Sequence, residues 1–247
     1  MSFTVVIPAR YASTRLPGKP LLDIAGKPML QHVYERALLS EASAVYIATD
    51  DERIYNAALS FTNNVCMTSD QHQSGTDRIQ EVAAQLSLAQ DEVVVNVQGD
   101  EPLIPPSAIN QVAKSLVDHP EAGIASLYEA IKQETEFTNP NIVKVVTDNA
   151  GFALYFSRAA IPFCRDGSSA QDTVFGKRHI GIYAYRVATL NDYVTWQQAA
   201  LEISERLEQL RAMSHGVRIH MQEAKEPMPA GVDTAEDLEA VRKFLSA

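Results

Sequence analysis

The apolar run EVVVNV, residues 92–97, is the feature that most constrains the fold of this chain. A short, nearly continuous apolar run is typical of a strand that is covered on both faces, as in the middle of a parallel sheet. Before it, strand-like runs at residues 3–7, 44–48 and 65–67 alternate with amphipathic helix patterns. Strands that alternate with helices form parallel sheets through right-handed crossovers. This half of the chain therefore predicts an α/β fold with a mostly parallel central sheet flanked by helices.

The helices of this half carry start signals. Pro28 suits the first turn of a helix, because its fixed φ is compatible with that position. Thr49 stands three residues before Glu52, and Ser74 stands three residues before Asp77, which is the spacing of a capping box. We therefore predict helices that begin close to residues 28, 50 and 75.

The second half of the chain has a different pattern. Strand candidates at residues 124–127, 142–147 and 152–156 follow one another closely, which favours an antiparallel addition to the sheet. Residues 178–186 alternate apolar and polar side chains, as in a strand with one ligand-facing side. At 247 residues the chain is long enough to bury a sizeable core, and nothing in it resembles a linker. We predict a single domain, 1–247, with a smaller antiparallel lobe inserted at roughly 120–190.

The remaining elements follow from the same periodicities. Residues 201–213 predict one helix, residues 217–221 a strand, and residues 235–245 a final helix that begins after Thr234. The segment 164–177 is polar and rich in Gly and Ser, so we expect a loop there.

Composition limits the partners. The formal charge of -10 and the lack of a dense Lys/Arg cluster argue against a nucleic-acid partner. The apolar runs are too short to cross a bilayer, and the chain enters its first strand without a charged and apolar leader. Two cysteines, Cys66 and Cys164, do not make a disulfide framework. We expect a cytoplasmic protein without a membrane partner.

A basic loop, PARYASTRLPGKPL at residues 8–21, follows the first strand. Open α/β sheets place their ligands at the carboxyl ends of strands, which is where this loop begins. Arg10, Arg15 and Lys19 offer two guanidinium groups and one ammonium over ten residues, which suits a polyphosphate. A solvated basic loop is the alternative. The two prolines in the segment favour the phosphate site, because a merely solvated loop has little need of stiffening.

Three acidic residues stand where loops leave predicted elements: Asp100 and Glu101 after the central strand, and Asp233 before the final helix. Carboxylates in such positions are natural Mg²⁺ ligands, together with substrate phosphates. Two alternatives remain open. Asp100 also suits a turn in the sequence GDEP, and Asp233 also suits the start of a helix, where its charge favours the helix dipole.

Several familiar motifs are absent. No G-x-G spacing and no G-x-x-x-x-G-K-[ST] run occurs, which excludes dehydrogenases and kinases of those types. No C-x-x-C and no pair of histidines four residues apart supports a zinc site. His179 is the one histidine with a functional interpretation, on the alternating strand, and a surface or hydrogen-bonded structural histidine is the alternative.

Seven motifs taken in order resemble the 3-deoxy-manno-octulosonate cytidylyltransferases, or CMP-Kdo synthetases, over essentially the whole chain. They are IPARYASTRLPGKPL, QHQSGTDR, NVQGDEPLIP, YFSRAAIP, RHIGIYAYR, LEQLR and GVDTAEDLE. The resemblance implies a glycosyltransferase-A-like nucleotidyltransferase fold with a smaller antiparallel lobe. It also implies a cytoplasmic homodimer, and a reaction in which CMP passes from CTP to the anomeric hydroxyl of Kdo for lipopolysaccharide synthesis.

The resemblance also assigns residues to roles. It places Arg10, Arg15 and Lys19 at the CTP phosphates, with Arg10 and Lys19 neutralising the leaving pyrophosphate, and it places Mg²⁺ on Asp100 and Asp233.

Further assignments concern cytidine and the sugar acid. The resemblance places cytidine beside Ser74, Gly75 and Gln98. It places Arg78 near the sugar acid or the nucleotide. The Kdo pocket would be lined by Arg158, His179, Tyr183, Glu208 and Gln209. Arg and His suit a sugar carboxylate, and Glu, Gln and Tyr suit vicinal hydroxyls.

The chain departs from the family pattern in two places. Residues 197–200 lack expected prolines, and segment 164–177 has a length that we expect to vary. The sequence DEPL at residues 100–103, where relatives that use 8-amino-Kdo favour DQPL, favours Kdo itself. A cytidylyltransferase for 8-amino-Kdo or sialic acid, and a catalytically silent nucleotide-binding protein, remain the alternatives.

Overall fold

The structure is a computed structural model that describes residues 2–12, 16–72, 74–165 and 175–245. Arg15, which the sequence assigns to the phosphates, lies outside the described residues. Most of the polar segment 164–177 also lies outside them.

Strands and helices alternate through the first half of the chain, as predicted. The strands are β1 Phe3–Ala9, β2 Asp23–Ile24, β3 Lys27–Pro28, β4 Ala44–Thr49, β5 Val65–Met67, β6 Val93–Asn96, β7 Ile124–Ile131, β8 Lys144–Thr147, β9 Ala153–Ser157, β10 Gly176–Arg186 and β11 Ile219–Glu223. The helices are α1 Met29–Leu38, α2 Glu52–Leu59, α3 Gly75–Gln85, α4 Pro106–Asp118, α5 Glu134–Thr138, α6 Val187–Tyr193, α7 Ala200–Glu205, α8 Gln209–Ser214 and α9 Ala235–Leu245. A short 3-10 turn spans Lys19–Leu21.

One large sheet, with nine strands within the described residues, organises the molecule. Its central order is β11-β7-β10-β6-β1-β4-β5. Strand β1 pairs in parallel with both β4 and β6, and β5 continues the parallel set beyond β4. Strand β10 runs antiparallel between β6 and β7, and β8 and β9 extend the antiparallel part beside β10. The predicted α/β fold with a mostly parallel sheet and a smaller antiparallel part is confirmed.

The antiparallel strands fall within the predicted lobe at residues 120–190 and join the same sheet as β1 and β6. The division into a single domain with an inserted lobe stays a prediction.

Helices cover both faces of the central strands. Val5 and Ile7 of β1 pack in a cluster with apolar residues of α1, α2 and α4. Val6, between them, packs in a second cluster with residues of α3, α6 and α8. Strand β6 has the same two-sided burial, with Val93 and Val95 in the first cluster and Val94 in the second. This explains why its sequence is apolar at nearly every position, because neither face meets water.

The predicted helix starts differ in detail from the observed ones. Ser74 and Asp77 form the expected capping box at α3. At α2 the cap is Asp51 rather than Thr49, because the Asp51 carboxylate accepts a hydrogen bond from the backbone N–H of Arg53 at 2.9 Å. Pro28 precedes α1 instead of lying in its first turn.

The prediction of one helix over residues 201–213 is wrong. Two short helices, α7 and α8, are separated at Arg206, which adopts a left-handed conformation with φ 55°. The apolar periodicity could not reveal the break, because it grouped Ile203, which is exposed on α7, with Leu207 and Leu210, which are buried. The chain turns at Arg206 so that Leu207 enters the core, while Glu208 comes to line the site described next.

Among the residues described, no helix is both long enough and apolar enough to cross a bilayer.

Candidate active site

Two adjoining cavities lie where β1 and β6 end, at the edge of the sheet that the sequence analysis indicated. The first, the loop cavity, has a volume of about 450 Å³ and is lined by Pro8, Ala9, Arg10, Ala12, Lys19, Pro20, Ser74, Gly75, Gln98, Gly99, Asp100, Glu208 and Asp233. The second, the strand cavity, has a volume of about 370 Å³ and is lined by Gly75, Thr76, Asn96, Gln98, Asp100, Ile124, Gly181, Tyr183, Tyr185, Tyr193, Arg206, Leu207, Glu208 and Gln209.

The cavities share four lining residues: Gly75, Gln98, Asp100 and Glu208. A ligand that occupies both cavities, or two ligands that meet, would therefore have their junction beside Asp100. This is the arrangement expected of a site that joins two substrates.

Close packing fixes the loop that carries Asp100. A Cβ atom on Gly99 would lie 2.8 Å from the carbonyl oxygen of Pro8, so only glycine allows this approach of the two strand ends. The Asp100 carbonyl accepts a hydrogen bond from the backbone N–H of Val232 at 2.9 Å. This link brings Asp233, more than a hundred residues away in sequence, to the same edge of the sheet.

Lys19 lies between the two predicted metal ligands. Its Nζ atom donates to Asp100 Oδ2 at 2.6 Å, to Asp233 Oδ1 at 3.2 Å and to the carbonyl of Val232 at 2.9 Å. The ammonium has three hydrogens and therefore engages all of them. The predicted cation of the phosphate loop thus neutralises the predicted carboxylate pair.

The same geometry tests whether Asp100 and Asp233 suit a divalent ion. Both carboxylates approach one cationic group, and they supply the hard oxygen donors that Mg²⁺ prefers. The described residues contain no group of three or more His, Cys, Asp or Glu arranged to hold a metal. A pair of carboxylates fits Mg²⁺ that completes its coordination with water and substrate phosphate, and does not fit an ion that needs an all-protein site.

Glu101, the third acidic position of the sequence analysis, does not join this pair. Burial, and then the charge of Asp100, raise the pKa of Glu101 to about 8. Its Oε2 atom is buried without a hydrogen-bond partner, and the residue lines neither cavity. Glu101 therefore stands apart from Asp100 and Asp233, the two metal ligands predicted from the sequence.

The basic loop and the start of α3 form the opposite wall of the loop cavity. An Arg10 Nη2–H donates to the carbonyl of His72 at 3.0 Å, which ties the loop to the segment before α3. Ser74 caps α3 through its hydroxyl, and Gly75 lines both cavities. The first backbone N–H groups of a helix are free of intrahelical partners, so this wall is suited to an anion.

The strand cavity contains polar atoms that lack partners. Asn96 Oδ1 and Gln209 Nε2 are both buried and make no hydrogen bond. Leaving such groups unsatisfied is costly, and both belong to residues that line the strand cavity. Tyr183, opposite Asn96 in the β6–β10 register, has its pKa raised well above the usual value by burial. Its phenol is therefore a neutral hydrogen-bonding group at physiological pH.

Glu208 faces both cavities. Glu208 is an exposed residue that borders both cavities, and partial desolvation by the surrounding protein raises the pKa of its carboxyl. The Thr76 hydroxyl donates to Glu208 Oε2 at 3.2 Å, and this hydrogen bond lowers the pKa of Glu208 in part. Gln98 shares the junction, as its assignment requires.

His179 lies beside the strand cavity rather than in its lining. The Ser126 hydroxyl donates to the carbonyls of Ile180 and Ile182, so its oxygen accepts from His179 Nε2–H at 3.1 Å. Burial lowers the pKa of His179 to about 3, and its ring packs edge-on against Phe156. The imidazole is therefore neutral at physiological pH, and its contact with a sugar carboxylate stays a prediction.

Two arginines assigned to substrate are occupied elsewhere. Arg78 is fully buried, donates to Asp50 Oδ2 at 2.6 Å and contacts Thr68, and it lines neither cavity. Arg158 donates to the carbonyl of Glu205 at 2.7 Å, and it also lines neither cavity. The structure does not bring these two side chains together with the other predicted site residues.

The sequence analysis also missed residues. Asn96, Thr76, Tyr185, Tyr193 and Arg206 line the strand cavity and were not predicted. Asn96 carried a signal, because it is the one polar residue inside the apolar run of β6. The others follow from tertiary packing and had no local signature.

A basic loop on one side of the junction and a carboxylate pair on the other are typical of a nucleotidyltransferase. Residues 4–219 match a family model described as cytidylyltransferase. A relative from Vibrio vulnificus is 58% identical across 100% of this chain and 99% of its own, and one from Cellvibrio japonicus is 59% identical across 99% and 98%. Both are named 3-deoxy-manno-octulosonate cytidylyltransferase. The chain belongs to this family of cytidylyltransferases.

Solved structures agree with this membership. A CMP:2-keto-3-deoxy-manno-octonic acid synthetase complexed with CTP has a TM-score of 0.91 and 43% identity, over 99% of this chain and 98% of its own. A 4-diphosphocytidyl-2C-methyl-D-erythritol synthase, 13% identical with a TM-score of 0.65, shares the fold over 99% of this chain and 100% of its own.

Proposed function

We propose that this enzyme transfers CMP from CTP to the anomeric 2-hydroxyl of Kdo, giving CMP-Kdo and pyrophosphate for lipopolysaccharide biosynthesis. The observation that carries the proposal is the meeting of two cavities beside Asp100, one with a basic wall and one lined by amide and phenol side chains. The names of the full-length relatives and the CTP complex of the structural neighbour support the same substrates.

The loop cavity takes the triphosphate. Arg10, Lys19 and, from the undescribed part of the loop, Arg15 supply cationic groups for its oxygens. Ser74, Gly75 and Gln98 form the side towards the cytidine.

The strand cavity takes the sugar acid. Tyr183, Glu208 and Gln209 offer hydrogen-bonding groups for its hydroxyls, and Asn96 adds one that the sequence did not predict. His179 is a neutral neighbour of this cavity, hydrogen-bonded to Ser126. Arg158 donates to backbone carbonyls at residues 205 and 206, and Arg78 pairs with the Asp50 carboxylate.

We further propose that Asp100 and Asp233 hold Mg²⁺, which, when bound, supplies positive charge for the phosphate oxygens and polarises a hydroxyl group beside them. The carboxylate pair and its shared contact with Lys19 support this assignment.

The reaction asks little covalent chemistry of the protein. The 2-hydroxyl oxygen forms a bond to the α-phosphorus and gives up its proton to solvent water, as the bond from that phosphorus to the pyrophosphate oxygen breaks. The two cavities place nucleophile and phosphorus together at Asp100, and such positioning is a large part of catalysis for group transfer of this kind. Arg10 and Lys19 neutralise the charge that grows on pyrophosphate.

We also propose that the enzyme is a homodimer in the cytoplasm. The family resemblance supports both points, and Phe163, 85% exposed in the antiparallel part, is an apolar side chain that a partner could cover. Light scattering at several concentrations tests the dimer, and a mass equal to one chain at all of them would overturn it.

Pyrophosphate release tests the function. The intact enzyme is incubated with CTP and Mg²⁺ and with Kdo, 8-amino-Kdo, sialic acid or no sugar. We expect release with Kdo and little with the other acids. A preference for another acid would change the substrate, and no release with any acid would indicate a nucleotide-binding protein without this activity.

The variant Asp100→Ala tests the junction. We expect it to lose several orders of magnitude in turnover while it keeps its fold, because Asp100 borders both cavities. Asp91→Ala is the matched control, since Asp91 is exposed just before β6, at the opposite end of the same strand. Near-normal turnover by Asp100→Ala would overturn the metal assignment.

A further inference from the structure

One wall of the strand cavity is an irregular turn, and the contacts that hold this turn are unusual. Residues 206–208, between α7 and α8, and Gln209, the first residue of α8, supply four consecutive lining residues. A helix fixes its residues by its own hydrogen bonds, but Arg206 is left-handed and interrupts that pattern. The position of Glu208 and Gln209 must therefore depend on contacts outside the turn.

Thr76, Tyr193 and the pair Glu202–Arg211 supply some of those contacts, and Glu205, the residue just before the turn, supplies the ones to β9. Its Oε1 atom accepts from the Ser157 hydroxyl at 2.6 Å and from the Tyr155 hydroxyl at 3.4 Å. Its Oε2 atom accepts from the backbone N–H of Arg158 at 2.9 Å. The carboxylate thus engages three donors at the end of β9, nearly fifty residues earlier in the chain.

Arg158 completes the link from the other side. Its Nε–H donates to the Glu205 carbonyl at 2.7 Å, and its Nη2–H reaches the Arg206 carbonyl at 3.5 Å. The Arg158 carbonyl in turn accepts from the ammonium of Lys144, which is fully buried. Lys144 therefore fixes the end of β9, and the contacts of Glu205 with β9 fix the start of the turn relative to that strand.

Glu205 itself lines neither cavity. We infer that Glu205 is a positioning residue for the sugar-acid end of the site, acting through the turn at residues 206–209 and not by contact with either substrate. The inference rests on the proposed function, because it assumes that the strand cavity holds the sugar acid.

The two ends of the site should respond differently if this is correct. Most residues that line the loop cavity come from the basic loop, the start of α3 and the Gln98–Asp100 loop, none of which has a described contact with the Glu205 carboxylate. Loss of the Glu205 contacts therefore makes the turn that lines the strand cavity more mobile, and it leaves the lining of the loop cavity largely unchanged. Glu208 borders both cavities, and so a small effect on CTP is compatible with this scheme.

The test compares the two Michaelis constants. In Glu205→Gln an amide group replaces one carboxylate oxygen and opposes a donor, so we expect the KM for Kdo to rise about tenfold or more. The kcat and the KM for CTP should stay within about twofold of the wild-type values. Ser157→Ala removes the shortest of the three contacts and should shift the same constant in the same direction, by less.

Glu134→Gln is the control, because Glu134 is exposed at the start of α5 and the substitution changes charge equally. Thermal unfolding of each variant shows that it is folded. An unchanged KM for Kdo in both Glu205→Gln and Ser157→Ala would overturn the inference, as would a parallel change in kcat and both KM values.

The wild-type enzyme separates this inference from the proposed function. If the enzyme uses another sugar acid, the KM for that acid and the KM for CTP are compared in the same variants. If it turns over no acid, the proposed function fails and this inference fails with it. Wild-type turnover of Kdo with no selective KM change in the variants refutes the positioning role alone.

Discussion

The buried ion pair between Glu202 and Arg211 joins α7 to α8 across the break at residue 206. Arg211 Nε–H donates to Glu202 Oε2 at 2.9 Å and its Nη2–H donates to Oε1 at 2.6 Å, so the pair is bidentate. The two side chains are only 5% and 10% exposed. Removal of either partner leaves a buried charge without its counterpart.

The expected cost follows from this burial. Breaking a buried pair from one side costs about 3–5 kcal/mol. In a domain of this size each kcal/mol lowers Tm by roughly 2–4 °C, so Glu202→Gln and Arg211→Met should each lower Tm by about 6–20 °C. The double variant Glu202→Met, Arg211→Met should recover much of this loss, because apolar replacement of a whole buried pair is often neutral or stabilising.

Urea unfolding of the four proteins measures the coupling between the two residues. Lys114→Met is the control, because Lys114 pairs with Asp118 four residues on in the exposed part of α4 and should cost less than about 0.5 kcal/mol. The reasoning is refuted if the single variants lie within about 1 kcal/mol of wild type, or if the double variant loses the sum of the two single losses.

Three further predictions concern the site. Gly99→Ala places a Cβ atom 2.8 Å from the Pro8 carbonyl, so turnover should fall at least about tenfold, together with Tm, and normal kinetics would contradict the packing argument. The pKa of His179 is lowered to about 3, so the unfolded chain binds a proton below about pH 6.5 that the folded protein excludes. Stability should therefore fall as the pH drops from about 6.5 towards 3, by at most about 1.4 kcal/mol per pH unit from this residue, and His179→Gln should flatten the slope in urea titrations. The pKa of Glu208 is raised in the folded protein, so its contribution to the free energy of unfolding is fully present below about pH 4.5 and is lost as the pH rises through the folded pKa. Glu208→Gln should remove that loss in the same urea titrations, and an unchanged dependence of stability on pH would contradict this prediction.

Local patterns predicted the centre of the fold. The apolar run of β6, the first strand and the capping box at Ser74 depend on residues close in sequence, and the structure has all three. The sequence also indicated the edge of the sheet at which the site lies, because strand ends meet there.

Contacts between distant segments could not be predicted in this way. The break at Arg206 depends on Glu205 meeting β9, and neutral His179 depends on burial by β7 and β9. Lys19 between Asp100 and Asp233 joins three segments that no local pattern relates. Arg78 has the charge of a ligand-binding residue, yet its partner is Asp50, which directly follows β4, and the spacing of the two residues in the sequence does not reveal this pairing.

The hydrogen bond from Val232 to the carbonyl of Asp100 joins two segments that lie more than a hundred residues apart in the sequence. Asp100 follows β6 and Asp233 precedes α9, so the carboxylate pair exists only while this long loop is closed. A local opening at the Val232 contact would therefore separate the two carboxylates without breaking any strand pairing of the central sheet.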